Sequence, residues 1–374
     1  MRTVGVEEEL LLVEAETGRP RAVAAEVLRV AAAHGEVPDP TNHAADRGAL
    51  VPELQQEQLE TCTPPETEMG RLAADLRHWR DTANQRAGEV GTRVVASGTS
   101  PLPVVPQLVR TTRYEQMAER FGLTTSEQLT CGCHVHVSVA SVDEAVGVLD
   151  RIRVWLPTLL ALSANSPFWG GTDTGYASFR SQAQARWPTS GPTELFGSAE
   201  SYRRHLGDVL ASGVPLDEGM IYTDARLSRH YPTVEVRVPD VCLDVRDAVL
   251  VAALCRGLVE TAAGEAAAGV PAPAVSTAVL RLAAWRAGRS GVTGDLVDPV
   301  TSRPAPARAQ VDALVDHVAD ALRASGDEVL VAEGVRRIFT HGTGATRQRE
   351  ALQRTGRLPD VVTLLTRATA GEEC

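Results

Sequence analysis

No lysine occurs anywhere in the 374 residues, so arginine carries all of the basic charge. That absence excludes chemistry. A P-loop needs a lysine on its phosphates, and Schiff-base catalysis needs a side-chain amine. Any phosphate bound by this chain must be met by arginine, backbone N–H groups or metal ions. Aromatic residues are scarce, at 4%, so aliphatic side chains and alanine must fill the core. The six cysteines (Cys62, Cys131, Cys133, Cys242, Cys255 and Cys374) are too few and too scattered for a disulfide scaffold. A net charge of -11 argues against a nucleic-acid partner, because phosphate backbones need a basic surface. No apolar run is long enough to cross a membrane. Glu7, Glu8 and Glu9 interrupt the only apolar start, which a signal peptide does not tolerate. The expected setting is a reducing cytoplasm.

The remaining composition, 43% hydrophobic and 23% charged, is that of an ordinary soluble protein. No internal repeat, low-complexity tract or linker divides the chain, and residues 1–374 are read as a single domain.

Strand patterning carries the chemistry. Pro232 to Asp240 alternates strictly, with Val234, Val236 and Val238 on one face and Thr233, Glu235 and Arg237 on the other. Val4 to Val13 reads as a strand that sets Glu7 and Glu9 on one face. Cys131 to Val139 reads as another. His134, His136 and Ser138 share its polar face, while Cys133, Val135 and Val137 share the other. The same alternation sends cysteines and histidines to opposite sides, so one tetrahedral zinc site cannot easily collect both. Glu53 to Thr63 is a weaker strand candidate, ended by Pro64 and Pro65. Within it Glu53 and Glu60 have opposite parity, so both reach one site only through a bulge or bend.

Helical spacing covers residues 22–33, 66–89, 112–122, 141–165, 199–212, 244–268, 275–287, 305–324 and much of 328–369. Phe168 to Arg180, with paired glycines, small hydroxyls and a terminal arginine, suits a loop that closes on a ligand. The Gly342-Thr343-Gly344 turn, which feeds a helix, could offer backbone N–H groups and Arg347 to an anion, or serve only as a helix start.

Carboxylates at Glu7, Glu9, Glu60, Glu235 and less firmly Glu53, with His134 and Arg237 among them, would repel one another on a shared sheet face unless cations were bound. Oxygen ligands with one imidazole favour magnesium or manganese over zinc. Clustered hard cations and an arginine, in a chain with no lysine, suit a nucleoside triphosphate, with the arginine stabilising the transferred phosphoryl group. The residues by themselves reach metal-dependent phosphoryl chemistry.

Several segments, taken in order, resemble the type 2 glutamate–cysteine ligase, or carboxylate–amine ligase, family. They are Gly5 to Leu10, Cys131 to Val137, Asn165 to Trp169 with Asp173 to Ser178, Phe196 to Ser198, Asp217 to Met220, Tyr231 to Arg237 and Gly342 to Ala345. The resemblance implies an α+β, glutamine-synthetase-like fold: a curved, mostly antiparallel sheet with helices packed on its convex face. It implies ATP and Mg2+ (or Mn2+) as cofactors, and small-molecule carboxylate and amine substrates joined through an acyl phosphate. The leading expectation is glutamate plus L-cysteine giving γ-glutamylcysteine. A different acid or amine in a specialised biosynthetic step, a metal-dependent hydrolase and a catalytically silent binding protein are the competing readings. A homodimer is left open. By the same resemblance Glu7, Glu9, Glu53, Glu60, His134 and Glu235 are metal ligands, Arg237 meets the γ-phosphate, and Arg180 holds a substrate carboxylate.

Overall fold

The computed structural model describes residues 1–38 and 48–372. Its centre is a seven-stranded antiparallel sheet. The strands are β1 (Val4–Glu14), β2 (Ala49–Pro52), β3 (Gln58–Cys62), β4 (Thr92–Val95) and β5 (Cys133–Ser138), followed, after a short hairpin of β6 (Phe168–Trp169) and β7 (Thr172–Asp173), by β8 (Ala225–Leu227) and β9 (Thr233–Val236). The order is β2-β3-β1-β5-β9-β8, with β4 pairing the second half of β1. Nearly half of the chain is helical around this sheet.

The valine alternation explains the sheet's buried face. Val4, Val6, Val135, Val137, Val234 and Val236 are all buried in one cluster with Leu72 and Leu76 of the helix Met69–Glu89 and Leu250 and Leu254 of the helix Val245–Ala267. Burying each such side chain contributes about 1.5–3 kcal/mol. The helix Val245–Ala267 is buried nearly all round, and its alanines let neighbouring helices approach closely. In β1 alternation gives way to continuous burial from Glu8 to Val13, where β4 and the helix Ala24–Ala33 cover the leucine run. Cys131 and Cys133 lie buried among aliphatic residues, away from the histidines' face, as the parity required.

Two expectations are corrected. The segment Glu53 to Thr63 is not one strand. β2 ends at Pro52 and β3 begins at Gln58, so Glu53 lies in the connection and the parity conflict with Glu60 disappears. The helix expected over 141–165 is two helices, Val142–Ile152 and Leu156–Ser163. Pro157 sits in the first turn of the second and cannot continue the first. Glu8, of opposite parity to Glu7 and Glu9, lies apart from them as the alternation requires. It points to the helix-covered face, where Arg80 meets it with Nη2–Oε1 at 2.6 Å and Nε–Oε2 at 2.7 Å. The same guanidinium donates to the carbonyls of Cys242 and Leu243, which ties β1, the helix Met69–Glu89 and the chain after β9 together.

Both members of that pair are fully buried, so removing one leaves an uncompensated charge. Arg80→Met is expected to cost about 3–5 kcal/mol, and Glu8→Leu combined with Arg80→Met to recover most of it. Urea unfolding of the two variants checks this. A single variant as stable as the parent would contradict the role given to the pair.

Candidate active site

Cross-strand register builds the site in rungs on the face opposite the valines. Glu9 of β1 lies directly across from Glu60 of β3. Glu7 lies across from Cys62 on one side and His134 on the other. His136 lies across from Glu235, and Glu235 across from Arg226 of β8. Residues opposite one another in antiparallel strands share a face. The sheet therefore collects Glu7, Glu9, Glu60, His134 and Glu235 where the alternation placed them. With Glu53, Arg180 and Arg237, all but Glu235 line a cavity of about 220 Å³, and Glu235 adjoins it through its contact with Arg237.

The geometry is close. His134 Nδ1 is 3.5 Å from Glu7 Oε2 and 4.0 Å from Glu235 Oε1, and its Nε2 is 3.8 Å from Glu9 Oε1. His136 Nε2 is 3.4 Å from Glu7 Oε1, while its Nδ1 is hydrogen-bonded to the Thr233 hydroxyl at 3.0 Å. Glu235 is held by two guanidiniums: Arg226 Nε at 2.6 Å, and Arg237 Nη1.

The electrostatics are those of crowded carboxylates. Burial, then Glu9 and Glu7, push Glu53 up to about 8 against the pull of Arg237. Burial and the charges of Glu7, Glu53 and Glu9 raise Glu60 well above the usual carboxylate range. Burial also opposes ionisation of Glu235, but Arg237, His136, Arg226 and His134 outweigh it and hold that carboxyl down to about 2. Glu7 is held low in the same way, chiefly by His136 and His134.

These groups fit a hard divalent cation. Glu7, His136 and Glu235 offer ligand atoms all within 4.8 Å of one another, and the buried Nε2 of His136 has no hydrogen-bond partner. Cys62 stands beside Glu7 and Glu60, but burial and those carboxylates raise its thiol well above its ordinary range, so it offers no thiolate. His136, absent from the metal set that the resemblance implied, is thus equally disposed as a ligand. Arg226 was not anticipated. Its signal was its position in a short strand directly across from Glu235. Tyr222 and Trp187, which wall the cavity, come from segments with no periodicity to reveal them, and Arg113 opens the helix read over 112–122 with nothing to mark it as a site residue.

Two glycine positions explain local motifs. A Cβ on Gly132 would lie 2.2 Å from Arg180 Nη2, and the Gly132 N–H donates to Glu9 Oε2 at 2.6 Å. Gly132 thus makes room for the guanidinium and pins the carboxylate. Arg180 itself begins a short helix. Its N–H donates to the Ser166 hydroxyl, and Asp240, which accepts from Ser166 and Ser178, lies 3.9 Å from its Nη1.

The anion reading of the Gly342-Thr343-Gly344 turn is not supported. A Cβ on Gly344 would meet Asn165 Oδ1 at 2.0 Å, and the Ala345 N–H is spent on the Ala164 carbonyl. Arg347 is not brought to the sheet face. It lines a separate cavity with Asp244, Asp247 and Arg337. Its neighbour Arg349 instead holds Asp173 of the β6–β7 hairpin, with Nη2–Oδ1 at 2.6 Å. The turn packs on Ala164 and Asn165, and the helix that follows it braces the hairpin.

The fold is that of the glutamine-synthetase-like ligases. The chain is similar to the glutamate–cysteine ligase of Francisella tularensis solved with AMP, with a TM-score of 0.70 at 14% identity over 99% of this chain and 88% of that one. It is equally similar to a bifunctional glutathione synthetase from Pasteurella multocida, with a TM-score of 0.71 at 15% identity over 99% of this chain and 52% of that one. Sequence narrows the class. The model of glutamate–cysteine ligase family 2 matches residues 3–365, and the chain belongs to that family. It is 52% identical, over 99% of its length, to the whole of a Streptomyces avermitilis protein provisionally named glutamate–cysteine ligase 2-1.

Two outcomes follow from the geometry. Gly132→Ala is expected to cost little stability, because the atoms it meets are the end of a flexible side chain. It is expected to lower kcat by about 10²-fold, because Arg180 is displaced. Steady-state kinetics beside an unfolding curve separate the two effects, and an unchanged kcat would contradict the placement. Cations bind the ionised carboxylates, whereas Glu53, pushed up to about 8, holds its proton at neutral pH in the cation-free protein. Magnesium binding at pH 7 is therefore expected to release protons and to weaken as pH falls. Calorimetry in buffers of different ionisation enthalpy checks this, and binding without proton release would contradict it.

Proposed function

We propose that the protein is an ATP-dependent carboxylate–amine ligase that joins L-glutamate to L-cysteine, giving γ-glutamylcysteine, ADP and phosphate. The observation that carries the reading is the meeting of Arg180 and Arg237 with five carboxylates and two imidazoles on one sheet face, in a chain with no lysine to meet a phosphate. Family membership over nearly the whole chain supports it.

The chemistry suits that set. A carboxylate is a poor acyl donor. Its oxygen attacks the γ-phosphorus of ATP, the bond to the β–γ bridging oxygen breaks, and ADP leaves. The resulting acyl phosphate is attacked by the amine at its carbonyl carbon; the carbon–oxygen bond breaks, and phosphate leaves as the amine loses its proton. Magnesium or manganese held by Glu7, Glu9, Glu53, Glu60, His134, His136 and Glu235 would supply charge neutralisation to the phosphates. Arg237 faces the transferred phosphoryl group. Arg180, braced by Asp240 and fitted against Gly132, holds a substrate carboxylate. Arg226 orients Glu235.

Phosphate release from MgATP with L-glutamate and a panel of amines, products read by mass spectrometry, tests the reading. A product equal to glutamate plus cysteine less water is expected. Turnover only with another acid or amine would replace the substrates, and failure to bind MgATP would overturn the class. Arg237→Ala is expected to abolish ADP formation in a folded protein, and full turnover in that variant would remove the phosphate role.

A further inference from the structure

Arg180 and Arg237 also form one wall of a second cavity, of about 270 Å³, beside the carboxylate cluster. The reading above does not use it. Asp224 and Arg281 face this cavity from different elements. Asp224 precedes β8. Its backbone is fixed, with its N–H donating to the Gly191 carbonyl at 3.0 Å and its carbonyl accepting from the Arg237 N–H at 2.9 Å. Its half-buried carboxylate has no hydrogen bond or ion pair among the described residues. Arg281 stands at the exposed rim on the helix Thr277–Ser290 and is likewise unpaired among the described residues. The two charges attract one another without closing into a salt bridge. Glu8 with Arg80 and Asp173 with Arg349, by contrast, close into salt bridges. Leu160, Ala284 and Trp285 give the lining an apolar stretch beside the polar Ser181, Gln182, Gln184, Ser190 and Thr223.

We infer that this cavity receives the amine substrate as an α-amino acid with an uncharged side chain, its ammonium on Asp224 and its carboxylate on Arg281. A zwitterion carries both charges on one carbon, so it can bridge a carboxylate and a guanidinium that do not touch. The apolar stretch formed by Leu160, Ala284 and Trp285 favours a small uncharged side chain against it. Arg237 lines this cavity as well, which puts the amine beside the group that faces the transferred phosphoryl. Burial without a counter-charge, only partly offset by Arg281, pushes the Asp224 carboxyl up to about 7. An arriving ammonium would supply that counter-charge.

This inference rests on the ligase reading, and nucleophile exchange separates the two. Hydroxylamine traps an acyl phosphate as a hydroxamate and carries neither an ammonium at neutral pH nor a carboxylate. With MgATP and L-glutamate, the parent protein is compared on hydroxylamine, L-cysteine, L-alanine and cysteamine. For Asp224→Asn, the ratio of kcat/KM for L-cysteine to that for hydroxylamine is expected to fall at least about tenfold, the loss of one charge-assisted hydrogen bond. For Arg281→Met, KM for L-cysteine is expected to rise about tenfold while KM for cysteamine, which has no carboxylate, stays the same. Equal losses for both nucleophiles, or an equal rise for L-cysteine and cysteamine, would overturn the assignment of this cavity. So would hydroxamate formation in the parent with no product from any amino acid. Absence of hydroxamate in the parent would overturn the ligase reading itself.

Discussion

The central strands must keep two incompatible faces apart. On one side, valines pack against two helices; on the other, carboxylates lie within a few ångströms of one another. Period-two alternation is the only device that separates them. A one-residue slip in any strand would bury glutamates in the core and expose valines at the site. Register is therefore strongly specified, and the same burial that stabilises the sheet holds the acidic groups together against their repulsion. Glu8, the one acidic residue of the β1 triplet on the helix side, shows the cost of the exception, because it needs a fully buried arginine of its own.

The polar face stores unfavourable electrostatics that a ligand can relieve. Glu9 and Glu60 sit directly opposite, an arrangement that destabilises a sheet unless something intervenes. In the cation-free protein the strain is met by the proton that Glu53 retains, by a raised proton affinity at Glu60 and by two guanidiniums on Glu235. Divalent cations would replace the protons. The site is thus preorganised around missing positive charge, the condition under which electrostatic stabilisation of a phosphoryl group costs no reorganisation.

What was legible in the sequence was what alternation controls. The faces of Glu7, Glu9, His134, Glu235 and Arg237 follow from parity, and so does the separation of Cys131 and Cys133 from the histidines. Family motifs added the fold. What was not legible depends on partners distant in the chain. Nothing near Glu8 announces Arg80, and nothing near Gly342 announces Asn165 or Asp173. Glu53 and Glu60 looked out of phase because a turn between two short strands is hard to tell from one strand. Arg347 and Arg349 look equivalent in sequence, yet helical geometry aims them at different places, and only the second touches the site's surroundings. Asp224 lies outside any periodic segment, and Arg281 sits on the polar side of the helix read over 275–287 with nothing to mark it out.

The claim on which the account turns is that a substrate carboxylate, not water, attacks the γ-phosphorus. Turnover with L-glutamate whose side-chain carboxylate is labelled with oxygen-18 tests it directly. The account predicts one labelled oxygen in each phosphate released, because the carboxylate oxygen bridges carbon and phosphorus before the amine displaces it. Released phosphate free of the label would mean that water made the attack, and would contradict the ligase chemistry at its first step.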